Sequence, residues 1–201
     1  MGLRAVFLDK DGTLVEDVPY NVDPARIRLL PGADQGLPAL HSAGYRLFII
    51  SNQPGVARGY FAEESLVWVE RCLRELLAGV GVPLGGFYYC PHHPEGVQPA
   101  YARPCSCRKP EPGLLFRAAS EHGINLHQSW FVGDILDDIE AGRRAGCRTI
   151  LLDNGHETEW ILAPLRQPHY TVANLHEAAR KILQNSRSAR RVGRARIGET
   201  P

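Results

Sequence analysis

The sequence predicts an α/β fold, a Rossmann-like three-layer sandwich with a central parallel sheet. Three observations predict it. Short apolar runs of strand length alternate with segments whose apolar residues recur at helical spacing. Polar residues able to do chemistry follow four of those runs, at Asp9, Ser51, Cys90 and Asp134. Ligands bind at the carboxyl ends of parallel strands, so these four are expected along one edge. No internal repeat or low-complexity segment interrupts the pattern.

Residues 3–8 (LRAVFL) form the first predicted strand and residues 45–50 (YRLFII) the second. Between them, 33–42 reads as a short helix with a proline inside it. Residues 52–60 are a Gly/Pro-containing loop. Residues 63–78 give the clearest helix, with Leu66, Val69, Leu73, Leu76 and Leu77 on one face and charges on the other. Gly79, Gly81 and Pro83 end it. A strand at 86–89 leads into a proline-rich loop over 90–112 with little periodicity. A helix over 112–122 stops at Gly123. A strand at 130–133, a helix at 137–145 and a strand at 148–152 follow. The last helix, 174–183, has Asn174 as its N-cap.

The length of 201 residues and 44% hydrophobic content suit one compact domain. We assign it to 1–184, with a loop insert at about 90–110. The net charge of +1 hides an asymmetry. Residues 185–201 hold five Arg and one Glu, leaving the body with 18 basic against 21 acidic side chains. That basic tail reads as a solvated, disordered terminus. The mildly acidic body gives no electrostatic reason to bind nucleic acid. No stretch approaches the ~20 apolar residues of a membrane span. Asp9 and Asp11 interrupt the first apolar run, so it is no signal peptide. The expected location is the cytoplasm, where five cysteines point to metal or buried thiols rather than disulfides.

Asp9-Lys10-Asp11-Gly12-Thr13 follows the first strand directly. Two carboxylates one residue apart can converge on one cation and one substrate. A carboxylate can attack a phosphoryl group and carry it as an aspartyl-phosphate. A magnesium ion lowers the repulsion between the two anions. The second Asp can give a proton to the leaving alcohol and later take one from water. Gly12 lets the chain turn away sharply. A bare D-x-D is ordinarily an acidic turn, but an apolar strand running into DxDGT favours the enzymatic reading.

That motif resembles the first motif of the haloacid dehalogenase superfamily. The resemblance implies Asp9 as nucleophile and Asp11 as acid/base, with the Asp11 carbonyl also on magnesium. It implies a Ser or Thr at the end of the next core strand, where Ser51 stands, to hydrogen-bond a phosphoryl oxygen. It implies a Lys before a helix, and Lys109 in CRKPEPG fits. It implies an acidic cluster after a later strand, matched by WFVGD at 130–134 followed by Asp137 and Asp138. Asp134 would then ligate magnesium and Asp138 support it from behind. Asp137 is read as a charge at the N-terminus of the next helix.

Cys90-Pro-His92-His93 and Cys105-Ser-Cys107 share the proline-rich loop. Three thiols and an imidazole can make a tetrahedral zinc site. A loop with so little apolar content needs another source of order. Cys72 and Cys147 lie on apolar stretches and read as core. The loop is similar to one in the subgroup of heptose-bisphosphate and histidinol-phosphate phosphatases, which is capless apart from a small zinc-binding loop. That resemblance gives a structural zinc to Cys90, His92, Cys105 and Cys107, with His93 as a substitute ligand.

Residues 51–59 (SNQPGVARG) resemble the heptose-bisphosphatase version of this segment more than the histidinol-phosphatase one. The implied activity is magnesium-dependent hydrolysis of a small sugar phosphate, a heptose 1,7-bisphosphate at the 7-position. Asn52, Gln53, Arg58 and Arg108 are the expected substrate contacts, because Arg pairs with phosphate in a bidentate manner. Ile135 and Pro54 depart from that family's pattern, and the segment 152–160 (LDNGHETEW) is unlike it. Its His156, Glu157 and Glu159 could support the site from behind or form a partner surface, but the segment reads first as a polar surface loop. The alternatives are a histidinol-phosphate or other small phosphomonoester phosphatase, and, in a different class, a non-catalytic zinc module with a nucleic-acid-binding tail. Analogy with small capless phosphatases gives a monomer.

Overall fold

The computed structural model describes residues 2–197, with side chains through 186. Six strands form one sheet: β1 Ala5–Leu8, β2 Arg46–Asn52, β3 Leu84–Cys90, β4 Trp130–Gly133, β5 Arg148–Leu152 and β6 Tyr170–Val172. The five α-helices are α1 Ala33–Ser42, α2 Ser65–Gly79, α3 Gly113–His122, α4 Leu136–Arg144 and α5 Leu175–Ile197. The strand order is β3-β2-β1-β4-β5-β6 and every pairing is parallel. The predicted three-layer sandwich is the observed one.

Side chains alternate across the sheet. On β1, Val6 and Leu8 join a core with Leu37 and Leu40 of α1, Leu66, Val69, Leu73 and Leu77 of α2, and Ile182 of α5. Ala5 and Phe7 point the other way, to Leu114, Leu115 and Ala118 of α3 and Ala141 of α4. Both faces of the sheet are therefore covered, which is why its strands read as unbroken apolar runs. Fully burying one α2 leucine contributes about 1.5–3 kcal/mol.

The strand order reverses between β1 and β4. That reversal opens a crevice beyond their carboxyl ends. Asp9 follows β1 and Asp134 follows β4, and Leu8 lies in register with Val132.

Three expectations change. β2 runs on through Ser51 and Asn52, because they pair with Tyr89 and Cys90 of β3. The strand β6 is only three residues long and carries no readable periodicity. α5 continues to Ile197 instead of ending at Leu183, since 184–197 holds strong helix formers, one glycine and no proline. The remainder of the predicted tail, 198–201, lies outside the described residues.

Candidate active site

Asp9 sits at the mouth of the crevice, with its backbone N–H bonded to the Val132 carbonyl at 3.0 Å. The loop after it is pinned tightly: the N–H groups of Leu14 and Val15 both reach the Lys10 carbonyl. Gly12 adopts φ +75°, a conformation that side chains disfavour. A Cβ there would also collide with Asp134 Oδ2 and His156 Nδ1. The turn expected from its sequence is thus half of why glycine stands there.

Lys109 is buried and bridges two carboxylates. Its Nζ lies 2.5 Å from Asp9 Oδ1 and 2.6 Å from Asp138 Oδ1. Burial works against its charge, but Asp138 and Asp9 outweigh burial and hold the ammonium protonated above its ordinary range. Its backbone is clamped: the Lys109 N–H donates to Asn52 Oδ1 at 3.0 Å and its carbonyl accepts from Asn52 Nδ2 at 3.1 Å. Both polar atoms of Asn52 therefore hold the lysine backbone, a role that its place in the sequence did not announce. Gln53 is buried too, donating to Ser51 Oγ at 2.8 Å and to Asp11 Oδ2 at 3.3 Å.

Asp134 accepts from Thr13 Oγ1 at 2.7 Å through Oδ1. Its Oδ2 lies 2.7 Å from His156 Nδ1. Burial, then the charge of Asp9, push this carboxyl up to about 6. Asp138 is fully buried behind it and also accepts from the Ile135 N–H at 3.3 Å. Asp137 turns away and pairs with Arg166 at 2.5 Å, as its position on the outer turn of α4 allows. Asp11 pairs with the buried Lys10. Burial raises the Asp11 pKa and Lys10 opposes that rise.

Ligand atoms of Asp9, Asp134 and Asp138 lie within 4.8 Å of one another. Three carboxylates with one ammonium leave two negative charges uncompensated. The oxygen donor set and that charge both suit a hard divalent cation such as magnesium.

The second cluster lies one loop away. Cys90, His92, Cys105 and Cys107 also hold their ligand atoms within 4.8 Å. Cys107 Sγ is 3.0 Å from Cys90 Sγ and 3.2 Å from Cys105 Sγ, and His92 Nδ1 is 3.4 Å from Cys107 Sγ. Sulfurs around a tetrahedral zinc with Zn–S of about 2.3 Å stand about 3.8 Å apart. Three thiols and one imidazole, with the sulfurs opened by about 0.4–0.8 Å, fit that ion. His93 is elsewhere: its Nδ1 accepts from the Glu95 N–H at 3.1 Å and its Nε2 faces Arg58 at 3.5 Å. Arg58 also donates to Tyr20 Oη at 3.0 Å. Arg58 and Arg108 both lie close enough to His93 to lower its pKa, after burial.

Sequence reasoning gave no role to Lys10, between the two acids of the first motif, or to Thr13, just after them. It raised His156, 22 positions beyond Asp134, as a residue that could support the site, but favoured a polar surface loop, because nothing local ties the two together.

A family model described as HAD-hydrolase-like matches residues 106–178. A D-glycero-beta-D-manno-heptose-1,7-bisphosphate 7-phosphatase of Pasteurella multocida is 40% identical over 153 residues, 76% of this chain and 83% of the relative. A D-glycero-alpha-D-manno-heptose-1,7-bisphosphate 7-phosphatase of Photorhabdus laumondii is 36% identical over 157 residues, 78% of this chain and 86% of the relative. The crystal structure of the D,D-heptose 1,7-bisphosphate phosphatase of B. bronchiseptica, complexed with magnesium and phosphate, superposes with a TM-score of 0.74 at 28% identity. That alignment covers 91% of this chain and 99% of the other. A strand-end carboxylate cluster on this sheet order, together with these relatives, places the chain in the haloacid dehalogenase-like phosphomonoester hydrolases, in the family of the heptose-1,7-bisphosphate 7-phosphatases.

Proposed function

We propose that the chain hydrolyses a D-glycero-D-manno-heptose 1,7-bisphosphate at the 7-phosphate, through a phosphoryl group carried on Asp9. The observation that carries this reading is the cluster of Asp9 and Asp134, at the ends of adjacent strands, with Asp138 of α4, in which Lys109 bridges Asp9 and Asp138. Lys109 holds Asp9 Oδ1, which leaves Oδ2 to attack phosphorus. As that bond forms, the phosphorus–oxygen ester bond breaks and Asp11 gives its proton to the leaving alcohol. Burial raises the Asp11 pKa, a shift in the direction that suits a proton donor. Asp11 then takes a proton from a water that attacks phosphorus, the bond to Asp9 breaks, and phosphate leaves. Ser51 Oγ already accepts from Gln53, so its hydroxyl hydrogen can turn to a phosphoryl oxygen. A magnesium ion held by Asp9, the Asp11 carbonyl and Asp134 would supply the charge that lets a phosphate approach these carboxylates.

The second phosphate needs its own cations. Arg58 Nε and Arg108 Nη1 are buried N–H groups with no hydrogen-bond partner among the described residues. Unpaired buried donors are costly, and an anion bound between these arginines would satisfy them. Cys90, His92, Cys105 and Cys107 would hold a zinc ion that fixes the loop at Cys107, two residues before Lys109.

We also infer a phosphatase domain over 1–184 with its insert at about 90–110, acting as a monomer in the cytoplasm. No described helix is long and apolar enough to cross a membrane.

The test is phosphate release from both anomers of the heptose bisphosphate, histidinol phosphate and simple sugar monophosphates, with magnesium present. The heptose substrates should lead. Faster turnover of histidinol phosphate would replace the substrate reading, and equal poor rates on all would sink it.

A further inference from the structure

The loop after β5 is built onto the active site rather than lying beside it. Three of its side chains reach three different points of the catalytic motifs. Asn154 Nδ2 donates to the Gly12 carbonyl at 2.6 Å. His156 Nδ1 meets Asp134 Oδ2 at 2.7 Å. Glu157 Oε2 accepts the Leu136 N–H at 2.6 Å, at the open N-terminus of α4. These contacts span 142, 22 and 21 positions of chain, so they are tertiary and not a local turn.

We propose that His156 is a positioning residue for the cation site, fixing the Asp134 carboxylate from its outer oxygen. The inference rests on reading Asp134 as a cation ligand. The physical case is geometric. A carboxylate on its own short side chain can rotate about χ2. Thr13 holds Oδ1 and His156 holds Oδ2, so both ends of the Asp134 carboxylate are fixed. Each carboxylate oxygen has two lone pairs, so one can accept a hydrogen bond while the other faces a cation. The absence of a side chain at Gly12 creates the space in which this pair meets. Asn154 and Glu157 flank the histidine and anchor the loop on either side of it. Partners of this kind behind a ligand typically govern metal affinity by 10–100-fold.

The experiment titrates the zinc-loaded full chain with Mn²⁺ and follows the free Mn²⁺ signal by electron paramagnetic resonance, without substrate. His156→Ala should weaken Mn²⁺ binding by about tenfold or more. His156→Asn should recover most of that loss, because its amide N–H reaches roughly where Nδ1 stands. The His156 side chain is 34% exposed, so both variants should keep the wild-type melting temperature. Unchanged or tighter binding in His156→Ala overturns the inference, the latter because the ring would then be competing with the cation. Equal weakness in the Ala and Asn variants also overturns it, since loop closure alone would be the cause. Asp134→Asn is the control. If it binds Mn²⁺ as wild type does, the ligand reading of Asp134 fails as well. If it weakens binding while His156→Ala does not, only the role of His156 fails.

Discussion

The two ligand clusters of this chain are equally compact and are built in opposite ways. The carboxylate cluster stands on the ends of β1 and β4 and the first turn of α4, over a packed core. Its geometry is imposed by the sheet, and like charges are held together against their repulsion. The cysteine cluster has one ligand, Cys90, at the end of β3 and three on a proline-rich loop with little to bury. There the ion must supply order that packing does not. One site draws on the stability of the fold for its reactivity, and the other adds stability by binding. Lys109 joins them, two residues past Cys107 and bonded to Asp9.

The contrast can be broken at either end. The largest effect is expected from Asp9→Asn, which should lower phosphate release by about 10³-fold or more while leaving the far-ultraviolet circular dichroism unchanged. Substantial residual turnover would exclude Asp9 as the nucleophile. Lys109→Met should cost roughly 10²–10³ in kcat, as loss of one preorganised charge does. It should also destabilise the protein by about 3–5 kcal/mol in urea unfolding, because Asp9 and Asp138 lose their shared cation. A fully stable Lys109→Met protein would show that the carboxylates do not need it.

Cys107→Ser sharpens the other half. It should lower the zinc content measured by atomic absorption and reduce the melting temperature by about 5–10 °C. Its kcat should fall less than that of Lys109→Met, since the lysine is displaced rather than removed. The smallest effect is the most diagnostic. Asp134→Asn should raise the melting temperature of the magnesium-free protein by a few degrees, because a buried charge beside Asp9 is gone. Opposite signs for Asp134→Asn and Cys107→Ser establish the contrast, and a fall in both refutes it.

Much of the catalytic corner was legible because it is local. Asp9, Ser51 and Asp134 each follow an apolar run, and a parallel sheet must bring such ends together. The candidate ligands of the cysteine loop fall within one short segment, so spacing suggested a site, and the family resemblance chose His92 over His93. Asn52 was harder. Its position beside Ser51 suggested substrate, and its amide also clamps the Lys109 backbone across 57 positions of chain, a contact that spacing does not announce. The end of α5 was missed because a run of arginines reads as a solvated tail, although arginine is also a strong helix former. β6 was missed because three residues are too few to show a period.

The sequence by itself determined the sheet, the order of the motifs and which residue types face the crevice, since these follow from apolar periodicity and from what stands at each strand end. Only the tertiary structure decided the partners. Lys109 reaches Asp9 across 100 positions and His156 reaches Asp134 across 22, and no local preference encodes either contact. The physical reason is that a hydrogen bond depends on distances of a few tenths of an ångström, which the packing of distant elements sets.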